Sequence, residues 1–182
     1  MKNLFLSSLS VMAIFALTAF TFDYATSWNI SDDYSIKFSG RGANGTFTGL
    51  QGTIHFAEDD LAAANMNVSV DVNSIDTGNK TKDKHARGES WFYAEKYPRI
   101  QFKSNKFTPT DAGYTVQGDL TMRGVTKSVT IPFDFKRTNN GGEFTGEVTI
   151  NREDFGIEGP FFSFTVSDEF LVELKVPVQI KG

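Results

Sequence analysis

Residues 114–135, YTVQGDLTMRGVTKSVTIPFDF, decide the fold. Tyr114, Val116, Leu120 and Met122 alternate with Thr115, Gln117, Asp119 and Thr121. After RGVTK (123–127) the alternation resumes with Val129, Ile131, Phe133 and Phe135. Apolar residues at every second position mark a strand with one buried face, because successive side chains point to opposite sides of a sheet. Two such runs joined by a short glycine-containing turn make an antiparallel hairpin.

The same period extends in both directions. Upstream, Trp28, Ile30, Tyr34, Ile36 and Phe38 share one parity, as do Leu50, Gly52, Ile54 and Phe56. Phe47 stands one step out of phase with that second run, and Gly49 between them marks a β-bulge. Met66, Val68, Val70 and Val72 form another run, and Ile100 and Phe102 open the next. Downstream come Phe144, Val148 and Ile150, then Phe170, Val172, Leu174, Val176, Val178 and Ile180. DAG (111–113) and TNNGG (138–142) have hairpin chemistry, GRGANG (40–45) reads as a strand-connecting loop, and DDLAAANM (59–66) reads as a turn because no 3.6-residue period follows it. About eight strands in sequential antiparallel order favour closure into a barrel, which removes the exposed edges. A barrel of that size is either filled by side chains or holds one small ligand. Alternation alone leaves both open, and a two-sheet sandwich as well.

Composition narrows the function. Of 18 Phe, 14 follow residue 25, against five Leu, which suits strands better than helices. A net charge of −4 gives no basic footprint for nucleic acid. The chain has no Cys, so disulfides and a lipid-modified cysteine are excluded. Residues 1–25 read as a signal peptide: a basic start at Lys2, the apolar run LFLSSLSVMAIFALTAF, and small residues placing cleavage near Ala19 or Ala25. The expected protein is therefore exported, periplasmic or secreted, with residues 26–182 as one domain and no stable membrane span after signal removal.

Catalytic chemistry is sparse. His55 falls on the polar parity of its strand and is expected to face solvent. His85 lies in KDKHAR with Asp83 and Arg87, which is thin for a metal site that wants three or four ligands. The acid pairs Asp32–Asp33, Asp59–Asp60 and Glu153–Asp154 occupy turn-like positions, where carboxylates usually cap turns. A hydrolase using Asp83 and His85 remains an alternative only if those side chains converge with Arg87 on a pocket. A ligand-free structural or stress-related barrel is a second alternative.

Together, several segments resemble the YceI-like family of exported, polyisoprenoid-binding proteins. They are WNISDDYSIKFS (28–39), GTFTGLQGTIHF (45–56), the long SVDVNSIDTGNKTKDKHARGESWFYAEKYPRIQFKS (69–104), residues 114–135, FTGEVTINREDFGI (144–157) and SDEFLVELKVPVQI (167–180). The chain departs from the family pattern at Tyr34, where His is common before Ser35, and at Lys82 and Ala86 around Asp83 and His85.

The resemblance implies an all-β fold: a single antiparallel eight-stranded lipocalin-like barrel with one short helical connection near 77–98. It also implies a hydrophobic small molecule or lipid as partner, a bound polyisoprenoid or isoprenoid quinone in place of a cofactor, and no enzymatic role. The expected ligand-binding lining is Phe38, Phe47, Ile54, Phe56, Val68, Val70, Phe102, Val116, Leu120, Ile131, Phe133, Val148, Phe155, Val172 and Leu174. Residues 77–98 are expected to form a lid, with His85, Trp91, Phe92 and Tyr97 at the mouth and Lys80, Lys82, Asp83, Lys84 and Arg87 in water. Thr77 or Asn79 would cap its helix and Pro98 would end it. Exposed aromatics would support a homodimer.

Overall fold

The computed structural model describes residues 26–160 and 163–181; the expected signal peptide lies outside the described residues. Ten strands form one antiparallel sheet: β1 (Ser27–Ile30), β2 (Ser35–Gly40), β3 (Ala43–Phe47), β4 (Gln51–His55), β5 (Asn65–Asp71), β6 (Arg99–Thr110), β7 (Gly113–Met122), β8 (Val125–Arg137), β9 (Gly141–Asn151) and β10 (Glu169–Ile180). One helix, α1 (Lys80–Arg87), lies between β5 and β6.

The sheet closes because β10 pairs along one edge with both β1 and β2, at Ile180–Val178 and at Lys175–Leu171, and along the other with β9. β1 and β2 are thus two halves of one interrupted strand. β4 pairs with β1 and β3 with β2, so β3 and β4 are halves of a second. Counted around the ring, the ten segments make a closed barrel of eight antiparallel strands, each next to its sequence neighbour.

Both interruptions have local causes. Pro177 has no N–H to give, and its carbonyl accepts from Ser31 N, so the ladder toward β1 and β2 breaks there. Asp32 and Asp33 form the turn at that break. The second break falls at Gly49, whose φ of +68° a side chain would resist. Ser74 bonds both backbone groups of Thr48, and the Tyr34 hydroxyl accepts from Leu50 N, satisfying the backbone that the ladder abandons. The parity change between Phe47 and Leu50 is the result. A further register shift in β6, between Ser104 and Lys106, bends that long strand.

The two ends of the barrel are built differently. At the end where β6 meets β7 and β8 meets β9, the interior is filled by aromatic rings. Phe56 sits at the centre with 0% exposure. Tyr114, Phe133, Phe135 and Phe144 surround it at 5.2–5.6 Å between ring centroids, mostly edge to face, the geometry that aromatic quadrupoles favour. Phe107 lies 5.9 Å away, and Trp28 packs on Phe135 while donating its indole N–H to the Phe56 carbonyl at 2.9 Å. Gly142 makes room for this cluster: a Cβ there would sit 2.5 Å from the Phe135 ring. His55 lies on the outer parity of β4, half-buried beside this end, with Nδ1 hydrogen-bonded to Ser27 Oγ at 2.7 Å from the neighbouring strand β1.

Replacing Phe56 by Ala removes the centre of this packing. The expected cost is about 3–5 kcal/mol in urea unfolding with little change in the slope; a loss below about 1 kcal/mol would show that the aromatic end does not hold the barrel.

Candidate ligand-binding chamber

Toward the opposite end the interior opens into a chamber of about 610 Å³. Its wall is the inward parity of the strands: Ile36 and Phe38 from β2, Met66, Val68 and Val70 from β5, Leu120 and Met122 from β7, Val148 and Ile150 from β9, and Phe170, Val172, Leu174 and Val176 from β10. These side chains face inward because the opposite parity is polar and solvated, so closure leaves only apolar groups inside. Polar lining groups concentrate at the helical end, where Thr77, Lys82, His85, Thr165 and Arg152 reach the rim.

Thirteen of the fifteen expected lining residues share this wall: Phe38, Phe47, Ile54, Val68, Val70, Phe102, Val116, Leu120, Ile131, Phe133, Val148, Val172 and Leu174. Phe56 does not, because it is the centre of the aromatic cluster. Phe155 does not either. It lies in the short turn Glu153–Phe155 beyond β9 and packs with Met122 and Ile157, 2% exposed. His85, Trp91 and Phe92 reach the chamber from the connection, whereas Tyr97 turns away, edge-on to Tyr93 at 6.0 Å and against Gly124.

The connection is a helix with a loop folded back onto it. Asn79 caps α1, its side-chain oxygen accepting from Thr81 N and Lys82 N. The helix ends at Gly88, ten residues before the expected stop at Pro98. From there Tyr93 N bonds Gly88 O, Phe92 N bonds Ala86 O and Ala94 N bonds Arg87 O, reversing the chain over the last helical turn. Tyr93 takes a φ of +50° to make the reversal. This places Phe92 edge-on to Phe47 at 5.8 Å and Trp91 on the chamber wall.

Two arginines fasten the cap to the barrel. Arg123, in the β7–β8 turn, donates to the carbonyls of Glu89 (3.0 Å) and Gly156. Arg152 is buried, with its guanidinium over the Trp91 ring at 5.5 Å. It donates to Ile157 O at 2.5 Å, Ser167 O at 3.1 Å and Asp168 Oδ1 at 2.5 Å. Sequence reasoning missed Arg152, since NRED reads as a solvated turn and nothing local says that Trp91 folds over it. Ile36, Met66, Ile100 and Met122, on the same inward parity, also line the chamber.

Asp83 also departs from expectation. Rather than standing in water it is buried, 8% exposed, and accepts from Thr77 N at 2.8 Å and Thr77 Oγ1 at 2.6 Å. The hydroxyl and then the amide of Thr77, aided by the nearby Arg87 charge, hold its carboxyl below the ordinary value of 3.8. His85 lies two residues on, about 200° around the helix, exposed at the chamber rim. The carboxylate is committed to Thr77 and faces away from the imidazole, so the two do not converge as a hydrolytic pair. Lys82 projects to the rim and donates to Gly42 O at 3.2 Å.

A closed antiparallel barrel of eight strands, filled at one end and hollow under a helical cap at the other, defines a class of proteins built around an internal apolar chamber. This chain belongs to the YceI-like family, whose YceI-like domain is matched across residues 28–178. It is 33% identical to a UPF0312 protein of Vibrio parahaemolyticus over 167 residues, 86% of this chain and 88% of that one. It is 35% identical to a UPF0312 protein of Yersinia pestis over 121 residues, a match spanning 62% of each chain. In fold it is similar to a polyisoprenoid binding domain from Saccharophagus degradans implicated in plant cell wall breakdown. That similarity has a TM-score of 0.67 and 15% identity, covering 87% of this chain and 99% of that one.

Asp83 ties the helix to the strand-end loop only while ionised. Because its folded-state pKa is depressed, this stabilisation is complete above about pH 4 and is lost as pH falls through the lowered value. Asp83→Asn should speed hydrogen exchange of the α1 amides at pH 7 while leaving β6–β9 protected; unchanged exchange in α1 would show that the Thr77 contact does not anchor the helix.

Proposed function

We propose that the protein sequesters or carries a long isoprenoid-type apolar molecule in the barrel chamber. The observation that carries this reading is the chamber itself. Apolar volume that side chains leave unfilled costs up to about 24 cal/mol per Å³ in packing, so a chamber of 610 Å³ forgoes up to about 15 kcal/mol. That is comparable to the whole net stability of a domain. A barrel of purely structural purpose has no reason to bear it, since the other end shows that this sequence fills an interior with rings when it does so.

The energetics suit a hydrocarbon. Hiding roughly 400 Å² of ligand surface gains about 10 kcal/mol before ordering costs, and micromolar affinity needs about 8 kcal/mol. Burial can supply the affinity, leaving Lys82, His85 and Arg152 at the rim to orient a polar end. The similarity in fold to the Saccharophagus polyisoprenoid binding domain supports the choice of an isoprenoid chain. The N-terminal pattern supports a periplasmic or secreted site of action. Binding without catalysis is favoured over hydrolysis by the commitment of Asp83 to Thr77. An isoprenoid quinone fits the same wall as a polyisoprenoid.

Native mass spectrometry of protein made with its N-terminal segment in a bacterial host, before and after incubation with prenyl lipids, tests the reading. The expected result is an added mass that survives gentle ionisation; protein that stays empty after incubation overturns it. Trp91→Ala should load several-fold less lipid with a melting temperature within a few degrees of the parent. Equal loading would remove the lid role of the cap.

A further inference from the structure

We infer that the cap side of the chamber mouth docks on an anionic lipid bilayer, with Phe164 inserted at the headgroup level and the cations beside it on the lipid phosphates. The inference rests on the carriage reading above and concerns where the cargo enters and leaves.

Three segments meet at this side of the mouth. Arg41 and Gly42 make the β2–β3 turn, Ser163–Thr165 is a short turn before β10, and Lys82 reaches across from α1. Arg41 Nη2 donates to Phe164 O at 3.5 Å, Ser167 N donates to Arg41 O at 2.9 Å, and Lys82 Nζ donates to Gly42 O at 3.2 Å. Pro160, Thr165 and Val166 line the chamber here. Phe164 adjoins them but turns outward. At 74% exposure it is the large apolar side chain that the described residues leave most open to water, ahead of Ile180 at 47% and Leu171 at 38%.

A scattered exposed apolar residue is ordinary. Phe164 differs in its company. Arg41, Lys80, Lys82 and Lys84 are all exposed on the same side. None of the four forms an ion pair with a described residue. Lys80 and Lys84 stand about one turn apart and about half a turn around α1 from Lys82, so they face away from the chamber. Of the acids nearby, Asp83 is committed to Thr77, and Asp168 and Glu153 to Arg152. Asp76 and Glu89 stay exposed.

The whole chain carries −4, and Glu58, Asp59, Asp60 and Asp111 lie in connections at the aromatic end. An anionic surface repels that end and attracts the cap side, which turns the mouth toward the membrane. An aromatic ring beside several Lys and Arg is how peripheral proteins hold such an interface, with the ring at the headgroup boundary and the charges on phosphate. The cargo gives the arrangement its purpose. An isoprenoid chain moving between bilayer and chamber avoids exposure to water only if the mouth rests on the bilayer.

The test is flotation with phosphatidylcholine vesicles, with and without phosphatidylglycerol, using protein exported by a bacterial host. Binding should require phosphatidylglycerol and fall in high salt. Lys80→Gln with Lys84→Gln should weaken it by about twentyfold, at roughly fivefold per charge. Phe164→Ser should weaken it by about tenfold. Both variants should take up a prenyl alcohol from cyclodextrin as the parent does, read by native mass spectrometry, and take it up more slowly from anionic vesicles. Parent-like vesicle binding in both variants overturns the proposal, and is the result to be had if the apolar run at residues 4–20 were the anchor. Absence of vesicle binding with uptake from cyclodextrin intact overturns docking and leaves carriage standing; absence of uptake by either route overturns carriage itself.

Discussion

The packing of rings around Phe56 is the contact on which the rest of the barrel depends. It gathers side chains from strands all around the ring: Trp28 from β1, Phe107 from β6, Tyr114 from β7, Phe133 and Phe135 from β8, Phe144 from β9 and Val178 from β10. A meander of neighbouring hairpins has no covalent closure, and this chain has no disulfide to supply one. Burial of large rings at one end, together with the pairing of β10 to β1 and β2, holds the first and last strands together. Because that end carries so much of the burial, the other can remain hollow without losing the fold.

The hollow end needs a different solution. Strand ends there present apolar side chains that water would otherwise reach. The cap covers them with Trp91 and Phe92, and polar contacts hold the cap. Asn79 and Asp83 satisfy the start of α1 and the loop before it, while Arg123 and Arg152 bind carbonyls of the segments that meet over the rim. Arg152 joins both kinds of interaction, since its guanidinium lies over the Trp91 ring while donating to Ser167, Ile157 and Asp168. Arginine does this better than lysine because its planar fork offers several fixed donors and an apolar face at once. The result is a cap attached by directional bonds that can be broken singly, over a chamber held open by cooperative packing elsewhere.

Membership of the YceI-like family and the barrel architecture were both legible in the sequence. The two interrupted strands show how far legibility reached. The phase slip at Phe47 and Gly49 announced one break, because a glycine between mismatched parities is a local signal. The other break, at Asp32–Asp33 opposite Pro177, showed locally only as a turn-like pair of acids, because the proline that interrupts the ladder lies nearly 150 residues away. Asp83 was misread for the same kind of reason. It looks solvated within its own segment, and the loop before the helix folds back to bond it through Thr77.

By itself the sequence determined which residues point inward, since strand alternation is a local, two-residue property, and it determined the order of the strands, since short glycine turns join only neighbours. Tertiary structure alone decided what those inward residues meet. Phe56 and Val68 share a parity class in adjacent strands, yet the first is locked among rings and the second faces open volume. That difference is one of depth along the barrel axis, which depends on register across all the strands and on where bulky side chains collide, and no pattern within a single strand records it.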